Sequence, residues 1–162
     1  MIIRKAEIKD IEKLREIYNY EINNGVATFD IGEKSYEDRL NWFNEHKGHY
    51  PMLVAEKNEE VMGFATLSCY RQRAAFNSTV EISVYVDINH RKKGVATALM
   101  EAILNIARED SDIHTVVAVI TSENIVSIKL HEKFGFTYCG ELKEVGKKFG
   151  RYLGVTNMQL LV

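Results

Sequence analysis

Residues 80–100 read VEISVYVDINHRKKGVATALM, and this stretch decides how the chain folds. Its first half is rich in β-branched and aromatic residues, which favour a β-strand. A basic turn with one glycine follows, and the second half is helical in pattern. Apolar residues recur there every three or four positions, so one face of the predicted helix can lie on a sheet: Val95, Ala98, Leu99, Ala102, Ile103 and Ile106.

The turn between the predicted strand and helix is a candidate anion site. A strand that enters a helix through a glycine directs free backbone N–H groups at one point, and the helix dipole strengthens their attraction for a diphosphate. Arg91, Lys92 and Lys93 place positive charge beside Gly94. The nucleotide-binding patterns G-x-x-x-x-G-K-[ST] and G-x-G-x-x-G are both absent. An ordinary glycine turn before an amphipathic helix is the alternative interpretation.

The composition indicates a folded protein without a strong charge bias. Hydrophobic residues make up 46% and charged residues 27%, and 21 basic against 23 acidic residues give a net charge of −2. We therefore expect no nucleic-acid partner, and no apolar run is long enough to predict a membrane span. Cys69 and Cys139 lack the spacing of metal ligands and are predicted to be buried free thiols, which fits a cytoplasmic location.

The remaining patterns predict one α/β domain over residues 1–162, with a mixed central sheet of about seven strands and about four flanking helices. The spacing Ser35-x-x-Asp38 is typical of a capping box, and Gly135 is expected to end a helix. Residues 114–120 are almost continuously apolar, which predicts a strand buried on both faces. Two last strands are expected near 136–142 and 156–162, with a basic loop at 145–152 between them.

Several motifs resemble one known superfamily. The hexapeptide Arg91-x-x-Gly94-x-Ala96 resembles the pyrophosphate loop of GNAT N-acetyltransferases, which holds acetyl-coenzyme A. The segment from Asn124 to Phe136 resembles the second cofactor element of these enzymes. Thr79-Val80-Glu81, Leu130-His131-Glu132 and residues 145–153 resemble the phosphinothricin/methionine-sulfoximine acetyltransferase branch. Gly154 and Asn77 depart from that branch, where an Asp and a basic residue are usual.

The resemblance implies a mixed GNAT-type sheet and a set of cofactor contacts. The pantetheine arm of acetyl-CoA is expected along the strand at Val84, Tyr85 and Val86, where the N–H of Val86 would donate to the thioester carbonyl. Asn124 and Ser127 would bind the same arm. The pyrophosphate would lie on the turn and the first helical residues, namely Arg91, Lys92, Lys93, Gly94, Val95, Ala96 and Thr97. No metal is implied.

Two side chains are candidates for proton transfer. Glu81 is the candidate general base, acting directly or through a water. A structural ion pair in the sheet, or binding of the substrate ammonium without proton removal, are the alternatives. His131 lies two helical turns after Asn124, where relatives carry a general acid beside the cofactor sulfur. A histidine that is satisfied by capping or packing is the alternative.

The acceptor is expected to be a small molecule with an amine and a carboxylate. Arg71 is the candidate for the carboxylate, ahead of Arg73, and Phe29 and Phe76 are candidate pocket walls that could equally be core residues. The implied reaction is direct acetyl transfer to an amino-acid α-amine in a ternary complex. A protein N-terminus or a polyamine as acceptor, and a non-catalytic acyl-CoA-binding module, are the alternatives. The branch also implies a homodimer.

Overall fold

Seven β-strands and four α-helices make up the computed structural model, which describes residues 1–162 and confirms the predicted α/β class. The helices are α1 (Ile11–Asn24), α2 (Tyr36–Glu45), α3 (Val95–Glu109) and α4 (Ile125–Lys133). The strands are β1 (Ile2–Lys5), β2 (Met52–Lys57), β3 (Glu60–Cys69), β4 (Thr79–Val86), β5 (Thr115–Thr121), β6 (Thr137–Lys148) and β7 (Arg151–Leu161). None of the helices combines the length and the apolar character that a membrane crossing requires.

The strands form one sheet in the order β1-β2-β3-β4-β5-β7-β6. Every neighbouring pair is antiparallel except β4 and β5, which run parallel. Their pairing is short, because only Thr79–Glu81 of β4 match Thr115–Val117 of β5. Beyond Glu81 the two strands diverge, and the rest of β4 is paired only with β3. The sheet is therefore open between β4 and β5 beyond Glu81 and Val117.

Helix α3 covers one face of the sheet, as its periodic apolar residues predict. Leu99, Ile103 and Leu104 are fully buried, and they belong to one core cluster with Val80 and Ile82 of β4. Burying each such side chain contributes about 1.5–3 kcal/mol, so this contact fixes the helix against the strand that precedes it.

Helices α1 and α2 pack on the opposite face. Leu14 and Ile17 of α1 form a second cluster with Val54 and Phe64 of the sheet, and Tyr85 of β4 packs against it. Because side chains alternate along a strand, Glu81 and Ser83 lie on the same face as Tyr85. The side chains of β4 are thus divided between a core face under α3 and a second face under α1 and α2.

Two local signals in the sequence are confirmed. The Ser35 side chain accepts a hydrogen bond from the N–H of Asp38, and the Asp38 carboxylate accepts one from the N–H of Ser35, which closes the predicted capping box. Gly135 follows α4 with φ +91°, a left-handed conformation that only glycine adopts without strain. Both signals are local, so they do not depend on how the helices pack.

The C-terminal strands are longer than predicted. Much of the basic loop expected at 145–152 is strand, since β6 runs to Lys148 and β7 begins at Arg151. Gly146 pairs with Leu153, and the turn is short, with positive φ at Phe149 and Gly150. Glycine and charge disfavour a strand locally, but long-range pairing overrides that preference here.

Two predictions of burial are wrong. Val119 is 42% exposed, because α3 and α4 cover the face of β5 that carries Val116 and Ala118 and not the face that carries Val119. Cys69 and Cys139 are exposed free thiols. They lie at the end of β3 and on the edge strand β6, where no other element covers them. An apolar residue is buried only where a neighbouring element covers it.

The packing of α3 predicts a large stability cost for one truncation. Leu99→Ala removes a fully buried side chain and leaves a cavity, so the free energy of unfolding should fall by about 2–5 kcal/mol. Val126→Ala is the matched control, because Val126 is 82% exposed and its loss should change stability by less than about 0.5 kcal/mol. Urea denaturation measures both. Equal effects of the two substitutions would contradict this description of the core.

Candidate active site

The opening between β4 and β5 exposes backbone hydrogen-bonding groups. At the end of β4, the N–H of Asp87 donates to the carbonyl of Met62 on the β3 side (2.9 Å). Before its start, the carbonyl of Ser78 accepts from the N–H of Thr115 on the β5 side (3.1 Å). The register of β3 and β4 is unbroken, so backbone groups of successive residues point alternately to β3 and to β5.

This alternation decides which predicted cofactor contacts of β4 face the opening. The N–H and C=O groups of Val84 and Val86 point into it, where no strand meets them. Those of Tyr85 point to β3, and its side chain packs between α1 and the sheet. A free N–H and C=O ladder of this kind accepts an extended, amide-bearing chain in the way a sheet accepts a further strand.

The N-terminus of α3 lies just beyond this strand. Gly94 caps it with φ +80° and contributes no side chain, and the first intrahelical bond runs from Ala98 N–H to Gly94 O (3.0 Å). The N–H groups of Val95, Ala96 and Thr97 therefore have no partner within the helix. Together with the dipole of a 15-residue helix, they are suited to bind an anion, and the diphosphate contacts of this turn stay a prediction.

The three basic residues before Gly94 surround that site in different ways. Arg91 forms an ion pair with the buried carboxylate of Glu21 on α1. Lys93 donates from Nζ to the carbonyl of Asn89 (2.9 Å), and Lys92 adopts a positive φ of 59°. All three are exposed, so their charges remain accessible to an anion at the helix terminus. The Glu21 contact also links the turn to α1.

The start of α4 lies beyond the end of β5, on the other side of the opening. The Asn124 side chain caps α4 by accepting from the N–H of Ser127 (3.2 Å). His131 is buried, donates from Nδ1 to the carbonyl of Ser127 (2.7 Å) and packs edge-on against Phe136. Burial lowers the pKa of His131, so the ring is neutral at pH 7. Its hydrogen is on Nδ1, and Nε2 carries none. Asn124, Ser127 and His131 thus lie together on one helix.

Glu81 lies where β4 and β5 begin to separate. It forms no ion pair and no side-chain hydrogen bond, and it shares the α1/α2 face of the sheet with Ser83. Burial raises the pKa of the Glu81 carboxyl. A carboxylate with a raised pKa and no partner inside the protein is suited to accept a proton from a substrate.

A cluster of aromatic side chains beside Arg39 was not anticipated from the sequence. The Arg39 guanidinium is buried between the rings of Tyr18 and Trp42, 4.4 and 4.2 Å from their centroids. Burial lowers the pKa of Arg39, and the two π faces compensate part of its lost hydration. Tyr85 and Phe64 stack next to this group, around a small cavity of about 90 Å³. The sequence pattern of α2 gives no sign that Arg39 is buried.

The loop after α1 places Phe29 against the C-terminal hairpin. Its ring lies so close to Gly146 that a Cβ there would fall 2.2 Å from the ring, which explains the glycine in β6. Lys148 is buried and donates from Nζ to the carbonyls of Thr28 (3.0 Å) and Glu21 (3.2 Å). Burial lowers the pKa of Lys148. The residue thus anchors this loop from within its own chain and is not a solvated turn residue.

Arg71 and Phe76 lie in the segment between β3 and β4. The Arg71 guanidinium is exposed and lies 5.1 Å from the Tyr70 ring centroid and 5.6 Å from that of Phe76. Two aromatic faces therefore orient the cation while its N–H donors remain available. Arg71 and Phe29 are both predicted to contact the acceptor. No hydrogen bond joins Arg71 to the loop that carries Phe29. No group of three or more His, Cys, Asp or Glu side chains is arranged to hold a metal ion.

Comparisons with known proteins agree with this geometry. Residues 3–156 match the family model of the acetyltransferase (GNAT) domain. The L-methionine sulfoximine/L-methionine sulfone acetyltransferase of Salmonella typhimurium is 38% identical over 161 residues, covering 99% of this chain and 94% of that protein.

Two crystal structures extend the similarity to three dimensions. The ribosomal-protein-alanine N-acetyltransferase of Brucella melitensis superposes with a TM-score of 0.96, at 36% identity over 100% of both chains. A GNAT superfamily phosphinothricin acetyltransferase of Sinorhizobium meliloti in complex with AcCoA superposes with a TM-score of 0.94, at 32% identity over 99% of this chain and 88% of that one. With its split central sheet, its glycine-led helix terminus and these relatives, the chain belongs to the GNAT acetyltransferase family.

Proposed function

We propose that this enzyme transfers the acetyl group of acetyl-CoA directly to the α-amine of a small amino acid or amino-acid analogue, in a ternary complex. The observation that carries the proposal is the opening of the sheet between β4 and β5, immediately before the N-terminus of α3. Free backbone groups at the opening fit a pantetheine arm, and free N–H groups at the helix terminus fit a diphosphate.

Each residue around the opening would carry out a different step of the transfer or hold the cofactor. The N–H of Val86 would donate to the thioester oxygen and stabilise the negative charge that develops during transfer. Glu81 would take a proton from the acceptor ammonium, so that the amine becomes a nucleophile. His131 would return a proton to the departing thiolate from Nε2 only as the imidazolium, because the single hydrogen of the neutral ring is on Nδ1 and is donated to Ser127. Asn124 and Ser127 would hold the arm of the cofactor nearby.

The charged residues on the side of the sheet where the acceptor is expected favour an amino acid over a polyamine. Its charged side chains include the cations Arg39 and Arg71 and the carboxylates of Glu81 and Asp30, and Asp30 already accepts from the Tyr18 hydroxyl beside Arg39. A polyamine would need an acidic surface, whereas an amino acid needs one base and one cation for its carboxylate. The names of the Salmonella and Sinorhizobium relatives refer to acceptors of this type. Phe29 and Phe76 would form walls of the same pocket.

A peptide N-terminus is the second candidate acceptor. The Brucella relative is called a ribosomal-protein-alanine N-acetyltransferase, and a free α-amine is common to both acceptor classes. The two differ in the carboxylate, which is free in an amino acid and bonded in a peptide. A non-catalytic acyl-CoA-binding module would leave the lone, partly buried Glu81 without a role.

We also propose that the protein is a homodimer of cytoplasmic location. The hairpin of β6 and β7 exposes a set of large apolar side chains along the edge of the sheet, which a second copy would cover: Tyr138, Leu142, Val145, Phe149 and Tyr152. The two exposed, unpaired thiols are the state that a reducing compartment maintains.

The diphosphate site predicts that Gly94→Ala weakens acetyl-CoA binding. Alanine at φ +80° costs about 1–2 kcal/mol, so the turn would shift and misplace the N–H groups at the helix terminus. We expect the Kd for acetyl-CoA, measured by calorimetry, to rise about tenfold or more. Gly32→Ala is the control, since a Cβ there meets open space and the residue lies on the loop that carries Phe29, not on the turn before α3. An unchanged Kd for Gly94→Ala would place the diphosphate elsewhere.

The isolated carboxylate of Glu81 predicts a strong and pH-dependent effect on catalysis. Glu81→Gln should lower kcat/KM at pH 7 by about 10²–10⁴-fold, as is typical for loss of a general base. Because burial raises its pKa, wild-type activity should be present above that pKa and be lost as the pH falls through it. Glu101→Gln on the exposed side of α3 is the control. If Glu81→Gln kept the wild-type pH profile, Glu81 would have no part in proton removal.

A free carboxylate on the acceptor predicts that Arg71 determines specificity. Arg71→Gln should raise KM for an amino acid by about 10- to 100-fold, the cost of losing a charged hydrogen bond, and should change KM little for the corresponding amino-acid amide. Arg73→Gln is the matched control in the same segment. A thiol-release assay with both acceptors measures these values. Equal rates of wild type on amino acids and on peptide amines would favour the second candidate acceptor.

A further inference from the structure

His46 and Ser68 form a hydrogen-bonded pair under the acceptor side of the sheet. The Nδ1 atom of His46 lies 2.7 Å from the carbonyl of Trp42, and its Nε2 atom lies 3.0 Å from the Ser68 hydroxyl oxygen. A carbonyl only accepts hydrogen bonds, so Nδ1 carries the hydrogen. In the neutral ring Nε2 then accepts from the Ser68 hydroxyl. Burial lowers the pKa of His46, which keeps the ring neutral at pH 7.

Ser68 is the direct cross-strand partner of Glu81. The two residues are paired in the ladder of β3 and β4, and paired residues of antiparallel strands lie on the same face. Their Cβ atoms are then about 4.5–5.5 Å apart, so the Glu81 carboxyl can reach the Ser68 hydroxyl oxygen. That oxygen donates its hydrogen to His46 and keeps its lone pairs for another donor. The Glu81 carboxyl forms no hydrogen bond within the protein, so it is free to turn towards Ser68.

We propose that Ser68 and His46 form a proton relay that carries the acceptor's proton from Glu81 to solvent. The proposal rests on the proposed function, because it needs Glu81 as the base. One N–H bond of the acceptor ammonium breaks and an O–H bond forms on Glu81. The carboxyl then gives its proton to the Ser68 oxygen while the Ser68 hydroxyl proton passes to Nε2 of His46. The half-buried imidazolium finally loses its Nε2 proton to water as the Ser68 contact opens, which restores the neutral ring with its hydrogen on Nδ1.

The charged groups around His46 allow this cycle at neutral pH. Glu45 at the end of α2 favours the imidazolium and Arg39 on the same helix opposes it. On the sheet, the titratable neighbour of Ser68 is Glu81, its cross-strand partner. No carboxylate forms an ion pair with His46, so the proton is not trapped there. His46 accepts a proton only while it is neutral, so the relay works above its pKa and stops as the pH falls through it.

The test compares single substitutions in acetyl transfer to an amino acid. Ser68→Ala breaks the relay in the middle, and His46→Gln keeps a hydrogen-bonding side chain that cannot take up a proton. We expect each to lower kcat at pH 7 by about tenfold, less than the loss of Glu81 itself. The deficit should shrink as the pH rises toward the pKa of the acceptor ammonium, because an amine that is already deprotonated needs no relay. Ser68→Thr keeps the hydroxyl and should restore wild-type rates.

Ser83→Ala is the matched control. Ser83 lies on the same face of the sheet as Ser68, and both line the small cavity beside Arg39. The Ser83 hydroxyl, however, is not bonded to a histidine. Its loss should leave kcat unchanged at every pH. If Ser68→Ala matched the wild type at every pH, or if its deficit were the same at every pH, the relay would be overturned while the proposed function stood. Wild-type protein that acetylates no amine would overturn both.

Discussion

β4 loses its second neighbour beyond Glu81, and the functional architecture depends on this one break in the sheet. A strand in the middle of a sheet normally has both rows of backbone groups paired, because unpaired polar groups are costly when they are shielded from water. Here the row that includes Val84 and Val86 has no strand opposite it. A ligand with amides along an extended chain completes the pairing, and the same strand then leads through the turn at Gly94 to the N-terminus of α3.

The alternation of β4 also separates the two residues that are proposed to transfer protons. Its odd-numbered side chains, Glu81 among them, lie under α1 and α2, where Ser68 and His46 are found. His131 lies on α4, which packs on the other face together with α3. The proposed base therefore lies on one face of β4, and the helix that carries the proposed acid packs on the other. Glu81 has Ser68 and His46 as neighbours for its proposed proton transfer, whereas His131 is bonded to Ser127 on α4.

The end of α1 links three parts of the site. The buried carboxylate of Glu21 forms the ion pair with Arg91 of the diphosphate turn, and its backbone carbonyl accepts from Lys148 of the hairpin. Lys148 also holds the loop that carries Phe29. Removing one member of a buried charged pair is costly, because the other charge stays buried without a partner. The turn before Gly94, the loop that carries Phe29 and the hairpin are thus held in fixed relation through α1.

The sequence by itself determined the α/β class, the order of the elements, the cap at Ser35 and the turn at Gly94. Each of these depends on local periodicity or on the conformational freedom of single residues. The extent of the β6–β7 hairpin, the exposure of Val119 and of both cysteines, and the burial of Arg39 were decided only by the tertiary structure. So was the contact of His46 with Ser68, which are 22 residues apart in sequence. These features depend on which surfaces meet, and the pattern of residues along one segment carries no information about the segment that will cover it.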